Sequence, residues 1–338
     1  MIDELRYSHR LLGVCFLLTA ALLPACANGV TVPETRVSDQ GGAQDIDPES
    51  REGRLIQLGL LYDDTIITQS ARTVDFNGQA VIPRYVYTDK DNGGQDLSVH
   101  AALLKLVFGL NESMTISATI PWLDKSMTRV NSGSGQKETL RSQGIGDVPV
   151  VGKYRFYQDA GLGKTTELAA LFGLELPVGR TDLEDGGMRL PQPMQSGSGG
   201  MDAILGSAFT RVDGRWLLNS DLIVKVNSEA DGFRFGNSYR FDIGGQFRLI
   251  PAEYVSFTQT TVNLVLEFNA IYAEKNSAGG VAIYNSGGSK IFLTPGLQVL
   301  VSESLLFETA VQIPILMELP GSQFEESYRF ILGMRARF

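Results

Sequence analysis

The chain is 338 residues long, contains 37 glycines and 43% hydrophobic residues, and carries a formal net charge of -9. Length alone permits one large domain or two small ones, whereas the glycine content favours an all-β protein with many turns over a helical one. The acidic balance, with no concentration of Lys and Arg in one patch, argues against a nucleic-acid partner.

The first 27 residues have the features of a secretory signal peptide. Two arginines precede an apolar core, Leu11–Leu23, which is too short to span a bilayer. Small residues at positions 25–27 suit a signal peptidase, so we predict cleavage after Ala27. The alternative is a lipoprotein with a lipid on Cys26, because residues 23–26 resemble a lipoprotein box, although the proline at position 24 suits that motif poorly.

Both cysteines, Cys15 and Cys26, lie in this segment, so the predicted mature chain has no disulfide, thiolate metal site or cysteine nucleophile. No later apolar run is long enough for a membrane-spanning helix. We therefore predict an exported protein with no cofactor and no metal site. Residues 28–52 are polar and lack periodicity, which predicts a flexible periplasmic lead-in before the folded part at 53–338.

The last thirteen residues, 326–338, show the strand pattern most clearly. At every second position from Tyr328 the residues are Tyr, Phe, Leu, Met, Ala and Phe, whereas the positions between them include three arginines. Side chains alternate across a strand, so one face is apolar and the other is largely charged, as in an outer-membrane barrel. The terminal aromatic, Phe338, resembles the signal that presents such a strand to the barrel-assembly machinery.

Similar stretches recur along the chain and predict twelve strands. They are Leu55–Tyr62, Leu97–Leu110, Ser113–Leu123, Gly146–Tyr157, Thr165–Val178, Met201–Val212, Arg215–Val226, Tyr239–Leu249, Tyr254–Tyr272, Lys290–Leu300, Leu305–Met317 and the closing strand at 326–338. Short connections alternate with long ones, including Lys125–Gly144 and Gly179–Gly200, as in a transmembrane barrel. A β-sandwich has no reason to keep one end short and the other long. For residues 63–95 three alternatives remain: a plug inside the barrel, a part of its wall or a lid over it.

The predicted fold is therefore all-β: a transmembrane antiparallel up-and-down β-barrel of about 12 strands, of the Gram-negative outer-membrane type, formed by residues 53–338. Its partners would be the lipids of the bacterial outer membrane.

Several glycine-containing stretches also support the prediction of an outer-membrane barrel. They are Gly144-Ile145-Gly146-Asp147 leading into Lys153-Tyr154, Gly173 to Gly179, Gly199 to Asp202, and Leu293 to Leu297. In this order and spacing, from about residue 110 to the end, they resemble the outer-membrane family named for the MetA pathway of phenol degradation. The resemblance implies a barrel and the passage of small aromatic or hydrophobic molecules, but no particular binding or catalytic residues.

Charged residues on the inward face of the strands should share one enclosed space. They are Asp147, Lys153, Arg155, Glu167, Glu175, Arg215, Asp221, Lys225, Arg240, Asp242, Arg248, Glu267, Glu308, Arg329, Arg335 and Arg337. Because both signs occur, these residues could pair and fill a narrow barrel, or they could border a water-filled path whose charge sets selectivity.

Three functions follow from this arrangement. The first is a passive channel or transporter for a small solute of unknown identity, and the second is a filled barrel that anchors or scaffolds partners. The third is a lipid hydrolase in which Ser98 and His100, two apart on one strand face, place a hydroxyl beside an imidazole. No third orienting group is evident, so we predict that the protein is not an enzyme.

Overall fold

A computed structural model describes residues 65–130, 135–161, 163–252 and 259–338. Within these ranges it contains one short 3₁₀ helix, Gln192–Met194, and nineteen strands. The strands are β1 (Gln79–Asp91), β2 (Asp96–Asn111), β3 (Met114–Val130), β4 (Lys137–Ile145), β5 (Val148–Gly161), β6 (Lys164–Leu176), β7 (Glu184–Asp185), β8 (Met188–Arg189), β9 (Asp202–Asp213), β10 (Trp216–Val226), β11 (Glu229–Ala230), β12 (Phe233–Arg234), β13 (Ser238–Ile250), β14 (Thr261–Ala273), β15 (Ser277–Ala278), β16 (Val281–Ala282), β17 (Gly288–Ser302), β18 (Leu305–Glu318) and β19 (Glu325–Arg337).

The long strands form a closed antiparallel barrel of twelve strands. Each pairs with its neighbours along the chain, and β19 pairs with β18 on one side and with β1 on the other, which closes the ring. Strands β4 and β5 occupy one position in the ring, because both pair with β3. Strand β5 pairs with residues 114–118 of β3, and β4 pairs with residues 122–130 of β3. The predicted fold class is confirmed: in the described ranges the pairing of β19 with β1 closes the ring, and β4, which extends beyond it, pairs on one side with β3.

The first barrel strand differs from the prediction. Leu55–Tyr62, which the pattern assigned to that position, lies outside the described residues. The strand that pairs with β19 is β1, within the stretch that the sequence left open. The sequence did not reveal β1 because its apolar alternation is interrupted by Pro83 and by three charged residues at 89–91.

The surface of the barrel is the reverse of that of a soluble protein. On β14, Leu266 is 55% exposed, whereas its neighbour Glu267 is 1% exposed. On β19, Leu332 is 50% exposed and Arg335 is 5% exposed. Apolar residues on the outer face and buried polar residues inside are what a barrel surrounded by lipid requires. No helix in the described ranges is long and apolar enough to cross a membrane.

The two ends of the barrel are unequal. At the short-turn end, brief turns join β2 to β3, β5 to β6, β9 to β10 and β17 to β18, and Phe338 exchanges backbone hydrogen bonds with Gln79. At the long-loop end, β7 and β8 form one small hairpin, and β11, β12, β15 and β16 form a four-stranded sheet. The predicted loop Lys125–Gly144 is corrected here, because β3 and β4 continue pairing through it. Both faces of that extension carry polar residues, so the sequence shows no apolar stripe.

Residues 65–78 precede β1, and we call them the lumen segment. Residues 65–74 lie inside the barrel, whereas 75–77 form an exposed turn at its short-turn end. Ile66 packs against Val265, Ala310 and Ile331 of the wall. Ala71 packs in a second cluster with Ala169, Leu171 and Ala208. Within the stretch 63–95, the described residues therefore contribute both a plug, the lumen segment, and a wall strand, β1.

Candidate functional site

The lumen segment is not part of a strand, so its backbone N–H groups need partners from the wall. The carboxylate of Glu267 accepts hydrogen bonds from three successive amides, those of Ile66, Ile67 (3.0 Å) and Thr68 (3.2 Å). The amide of Gln69 donates to Asp221. Two inward carboxylates thus bind four consecutive residues of the segment.

The segment then continues towards the short-turn end. The amide of Ala71 donates to Thr210 Oγ1 at 2.8 Å, and that of Val74 donates to Thr115 Oγ1 at 2.9 Å. The hydroxyl of Thr73 donates to the carbonyl oxygen of Glu112, in the turn between β2 and β3, at 2.7 Å. The segment is therefore held along its length by side chains of several wall strands.

Two wall glycines leave room for the segment. A Cβ atom built on Gly244 would lie 2.8 Å from Thr65 Oγ1 and 3.0 Å from Thr68 Oγ1. A Cβ atom on Gly296 would lie 2.4 Å from Ile66 Cδ1. Side chains at these two positions would collide with the lumen segment, so the wall and the segment fit each other closely.

Ion pairs occupy the lumen beside the segment. Glu308 binds both Arg84 and Arg335, the latter at 2.7 Å. Arg240 lies between Asp221 (3.5 Å) and Asp242 (2.7 Å). Each of these carboxylates is nearly or fully buried, so each relies on its cation and hydrogen-bond donors in place of water.

Two further networks lie towards the long-loop end. Lys225 binds Glu175 and, at 3.1 Å, Asp202. Glu326 gathers three cations, which are Lys90 (3.7 Å), Lys290 (2.8 Å) and Arg329 (2.5 Å). The Lys225 network therefore contains two carboxylates and one cation, whereas the Glu326 network contains three cations and one carboxylate.

A cavity of about 1090 Å³ runs beside the lumen segment. Its lining includes Gln158 and Ala160, near the short turn that follows β5, and Lys225 and Ser238, beside a long loop at the opposite end. The lining residues thus extend from one end of the lumen to the other. This continuous space is the candidate site.

The long connection between β6 and β9 folds over the inner face of β2, β3 and β4. Leu190 and Met194 pack against Leu97, Met127 and Leu140. The ammonium of Lys125 donates to the carbonyl oxygens of Pro193 (2.9 Å) and Gln195 (2.5 Å), which ties this connection to the wall. The connection therefore narrows the long-loop end on the side of β2 to β4.

An exposed ion pair lies on the same connection. The Arg180 guanidinium donates to the Asp182 carboxylate at 2.9 Å, and this hydrogen bond lowers the pKa of the carboxyl below its ordinary value. Both side chains are solvated, so the pair contributes little to holding the connection in place.

The sixteen charged residues selected from the sequence occupy different places. Half line the cavity: Lys153, Arg155, Glu167, Glu175, Lys225, Arg240, Arg335 and Arg337. Four others are buried carboxylates beside it: Asp221, Asp242, Glu267 and Glu308. Arg329 belongs to the Glu326 network, and Arg248 pairs in register with the buried Asn263.

Asp147 and Arg215 lie elsewhere. The Asp147 carboxylate accepts from the backbone N–H groups of Gly179 (2.9 Å) and Ser198 (2.6 Å), so it braces a loop. The Arg215 guanidinium donates to the carbonyl oxygens of Arg248 and Leu249 and stacks on Phe247 at the rim. Both residues lie just outside a strand, where the inward and outward alternation no longer applies.

Sequence reasoning missed several charged lumen residues. Arg72 lies in the lumen segment, and Arg84 and Lys90 lie on β1, so none of them belonged to a predicted strand. Lys105 lies on β2, in which apolar and polar residues do not alternate regularly. Lys105 shares the inward face of β2 with the apolar Val107, so an alternation of apolar and charged residues does not reveal it.

Ser98 and His100 lie on the outer face of β2, away from the lumen. His100 pairs in register with Tyr87 on β1 and with Asp124 on β3. Its Nδ1 atom lies 2.6 Å from the Tyr85 hydroxyl. One nitrogen of the imidazole is therefore engaged by a tyrosine at the barrel surface.

Comparison with known proteins gives a family and a fold. The family model described as "Putative MetA-pathway of phenol degradation" matches residues 62–313. The COG4313 outer membrane channel from Pseudomonas putida F1 is similar over 81% of this chain and 100% of that chain, with 14% identity and a TM-score of 0.60. The transport unit of the autotransporter AIDA-I from Escherichia coli aligns at 11% identity and a TM-score of 0.43, covering 85% of this chain and 98% of that chain. Comparison with curated protein sequences yields no match.

Proposed function

The chain belongs to the family described as "Putative MetA-pathway of phenol degradation", and from this membership and the shape of the lumen we propose that it is a passive channel for a small solute. The barrel would lie in the bacterial outer membrane, with the short-turn end in the periplasm. Transfer would need neither a cofactor nor covalent chemistry, because diffusion along the cavity suffices.

The continuous cavity carries this proposal. At about 1090 Å³ it is large enough for a small organic molecule, and its lining residues extend from one end of the lumen to the other. Charged and hydroxyl groups such as those of Lys153, Thr115 and Ser117 line it. A polar solute could therefore form hydrogen bonds with the wall in place of those that it loses with water. The lumen segment narrows this path and would limit the size of what passes.

A second candidate is a filled barrel that anchors or scaffolds partners and transports nothing. The observation that favours it is the burial of the lumen networks: Glu167, Thr210 and Asp242 have no exposed surface. The lumen segment and the connection between β6 and β9 also reduce the free space. The two candidates differ in whether ions and solutes cross.

Conductance of the purified barrel in planar bilayers distinguishes the channel from the filled barrel. Substitutions at two neighbouring residues of β10 provide a test variant and its control. Ile223 lines the cavity, whereas Leu222 is 37% exposed on the outer face. The channel proposal predicts steady current steps for the wild type and a conductance lower by roughly half or more in Ile223→Trp, because the indole would fill part of the path. Leu222→Trp adds the same side chain on the lipid face and should conduct like the wild type.

A folded wild-type barrel without current steps, and without solute uptake in liposome swelling, would support the filled barrel instead. Equal conductance of the two tryptophan variants would show that the current follows a route other than this cavity. Folding of each variant is checked by the faster migration of the unheated protein on a gel.

A further inference from the structure

Four cations surround one carboxylate at the long-loop end of the lumen. Glu326 Oε1 binds the ammonium groups of Lys90 (3.7 Å) and Lys290 (2.8 Å), and Oε2 binds the guanidinium of Arg329 (2.5 Å). Because Lys90 and Lys290 share one oxygen, their ammonium groups lie close together. The fourth cation, Lys125 on β3, lies near enough to Lys90 for the two charges to repel each other. We call these five residues the Glu326 cluster.

The positive charges of the cluster exceed its negative charge. Within the described ranges, Glu326 is the one carboxylate that forms an ion pair with any of the four cations. Lys125 donates to carbonyl oxygens of the connection between β6 and β9, which are neutral acceptors. The neighbouring carboxylates Asp91 and Glu325 are exposed and lie on the opposite face of their strands. The cluster therefore holds four positive charges against one negative charge.

The cations are accessible, whereas the carboxylate between them is not. The side chains of Lys90 and Lys290 are 24% exposed and that of Arg329 is 28% exposed, against 3% for Glu326. An ammonium group has three donor hydrogens, so both lysines retain donors beyond their contact with the carboxylate. The guanidinium of Arg329 also lies over the ring of Phe292, with 5.7 Å between Cζ and the ring centroid. Several charged donors are thus held on one base, within reach of a solute in the lumen.

An apolar surface borders the cluster. Lys90 pairs in register with Leu97, which is buried against Met127. Phe324, two residues before Glu326, packs against the same apolar group. Apolar neighbours lower the local dielectric, which strengthens both the repulsion among the cations and their attraction for an anion.

We propose that the Glu326 cluster binds a small oxyanion with two negative charges, either free phosphate or the phosphate end of a small ester. The oxygens of a tetrahedral anion accept charge-assisted hydrogen bonds from several of the cations at once. Two negative charges also offset most of the positive excess, which a single charge does not. None of the five residues lines the cavity of the proposed channel, so this site is separate from it.

Equilibrium binding to the purified, folded barrel in detergent tests the inference without requiring any current. The probes are inorganic phosphate in mildly alkaline buffer, sulfate and chloride. We expect phosphate and sulfate to bind at least about tenfold more tightly than chloride, because each makes several charge-assisted contacts. Glycerol phosphate distinguishes the two sources of the anion: it binds like phosphate if the site takes the end of an ester, and more weakly if the site takes the free anion.

Lys290→Gln should weaken phosphate binding by about tenfold, through the loss of one charge-assisted contact. Lys290→Arg keeps the charge and should stay within about threefold of the wild type. Lys137→Gln is the matched control, because Lys137 is an exposed lysine at the start of β4, at the same end of the barrel. It should bind phosphate like the wild type. Unheated gel migration shows that the three variants are folded.

A folded wild-type barrel that does not bind phosphate, or that binds chloride equally well, would overturn the inference. Equal phosphate binding by Lys290→Gln and Lys137→Gln would also overturn it. A barrel that binds phosphate but passes no current would keep this inference and contradict the proposed channel. A barrel that conducts without binding phosphate would do the reverse.

Discussion

At the scale of single residues, the inward polar side chains of this barrel do more than avoid lipid. Glu267 was identified from the sequence as inward-facing by the alternation of β14, and it is 1% exposed. Its partners could not be identified in the same way, because the amide of Ile67 lies 200 residues earlier in the chain. Alternation gives the face on which a residue lies, whereas the partner depends on how the rest of the lumen is filled.

The Glu267 contacts predict the effect of a conservative substitution. In Glu267→Gln, an amide NH₂ replaces one of the two oxygens that accept from the lumen segment, so donor would face donor. We expect a loss of about 1–3 kcal/mol in the free energy of unfolding, because a buried group loses its partner. Urea titration followed by the gel shift of the folded barrel measures this loss.

The control for this substitution is Glu303→Gln, in the exposed turn between β17 and β18, which should leave the urea midpoint unchanged. If Glu267→Gln is as stable as the wild type, then the carboxylate does not hold the lumen segment in solution.

At the scale of elements, the sequence predicted what depends on a local period. The predicted strand Tyr239–Leu249 corresponds to β13, Ser238–Ile250, because clear alternation marks a strand with lipid on one side and a polar lumen on the other. The lumen segment has no such period, because side chains of the wall surround it and it does not separate an apolar environment from a polar one. The extension of β3 and β4 lies beyond the part of the barrel whose outer face is apolar, so its two faces do not differ in polarity.

The fit between the lumen segment and β13 gives a prediction at this scale. Gly244 faces the segment, and a Cβ atom there would lie 2.8 Å from Thr65 Oγ1, whereas a Cβ atom on the next residue, Gly245, would have its nearest neighbour at 3.9 Å. Gly244→Val should therefore destabilise the barrel by about 1–3 kcal/mol through overpacking. The heat needed to abolish the fast-migrating form on a gel measures this effect.

Gly245→Val introduces the same side chain on the same strand and should keep a melting temperature near that of the wild type. Two valine variants with equal melting temperatures would mean that the segment does not occupy the lumen as described.

At the scale of the whole molecule, the net charge of the chain does not determine the arrangement of charges in its lumen. The chain carries -9. Among the described residues, eight Lys and Arg and four Asp and Glu line the cavity, and buried carboxylates beside it, such as Asp221 and Glu308, pair with several of these cations. Total charge therefore excludes some classes of partner but does not predict what the lumen prefers. The twelve-stranded ring could be inferred from repeated alternation, whereas the free space inside depends on the lumen segment and the connection between β6 and β9, which no periodicity reveals.

The proposed channel requires the cavity beside the lumen segment to be open to water at both ends of the barrel. The most direct test places a cysteine at Ile223, in a chain without Cys15 and Cys26, and exposes proteoliposomes of known orientation to a membrane-impermeant thiol reagent on one side at a time. We expect Ile223→Cys to be labelled from either side and Leu222→Cys, on the lipid face, to be labelled from neither. Labelling of Ile223→Cys from one side alone, or from neither, would contradict it.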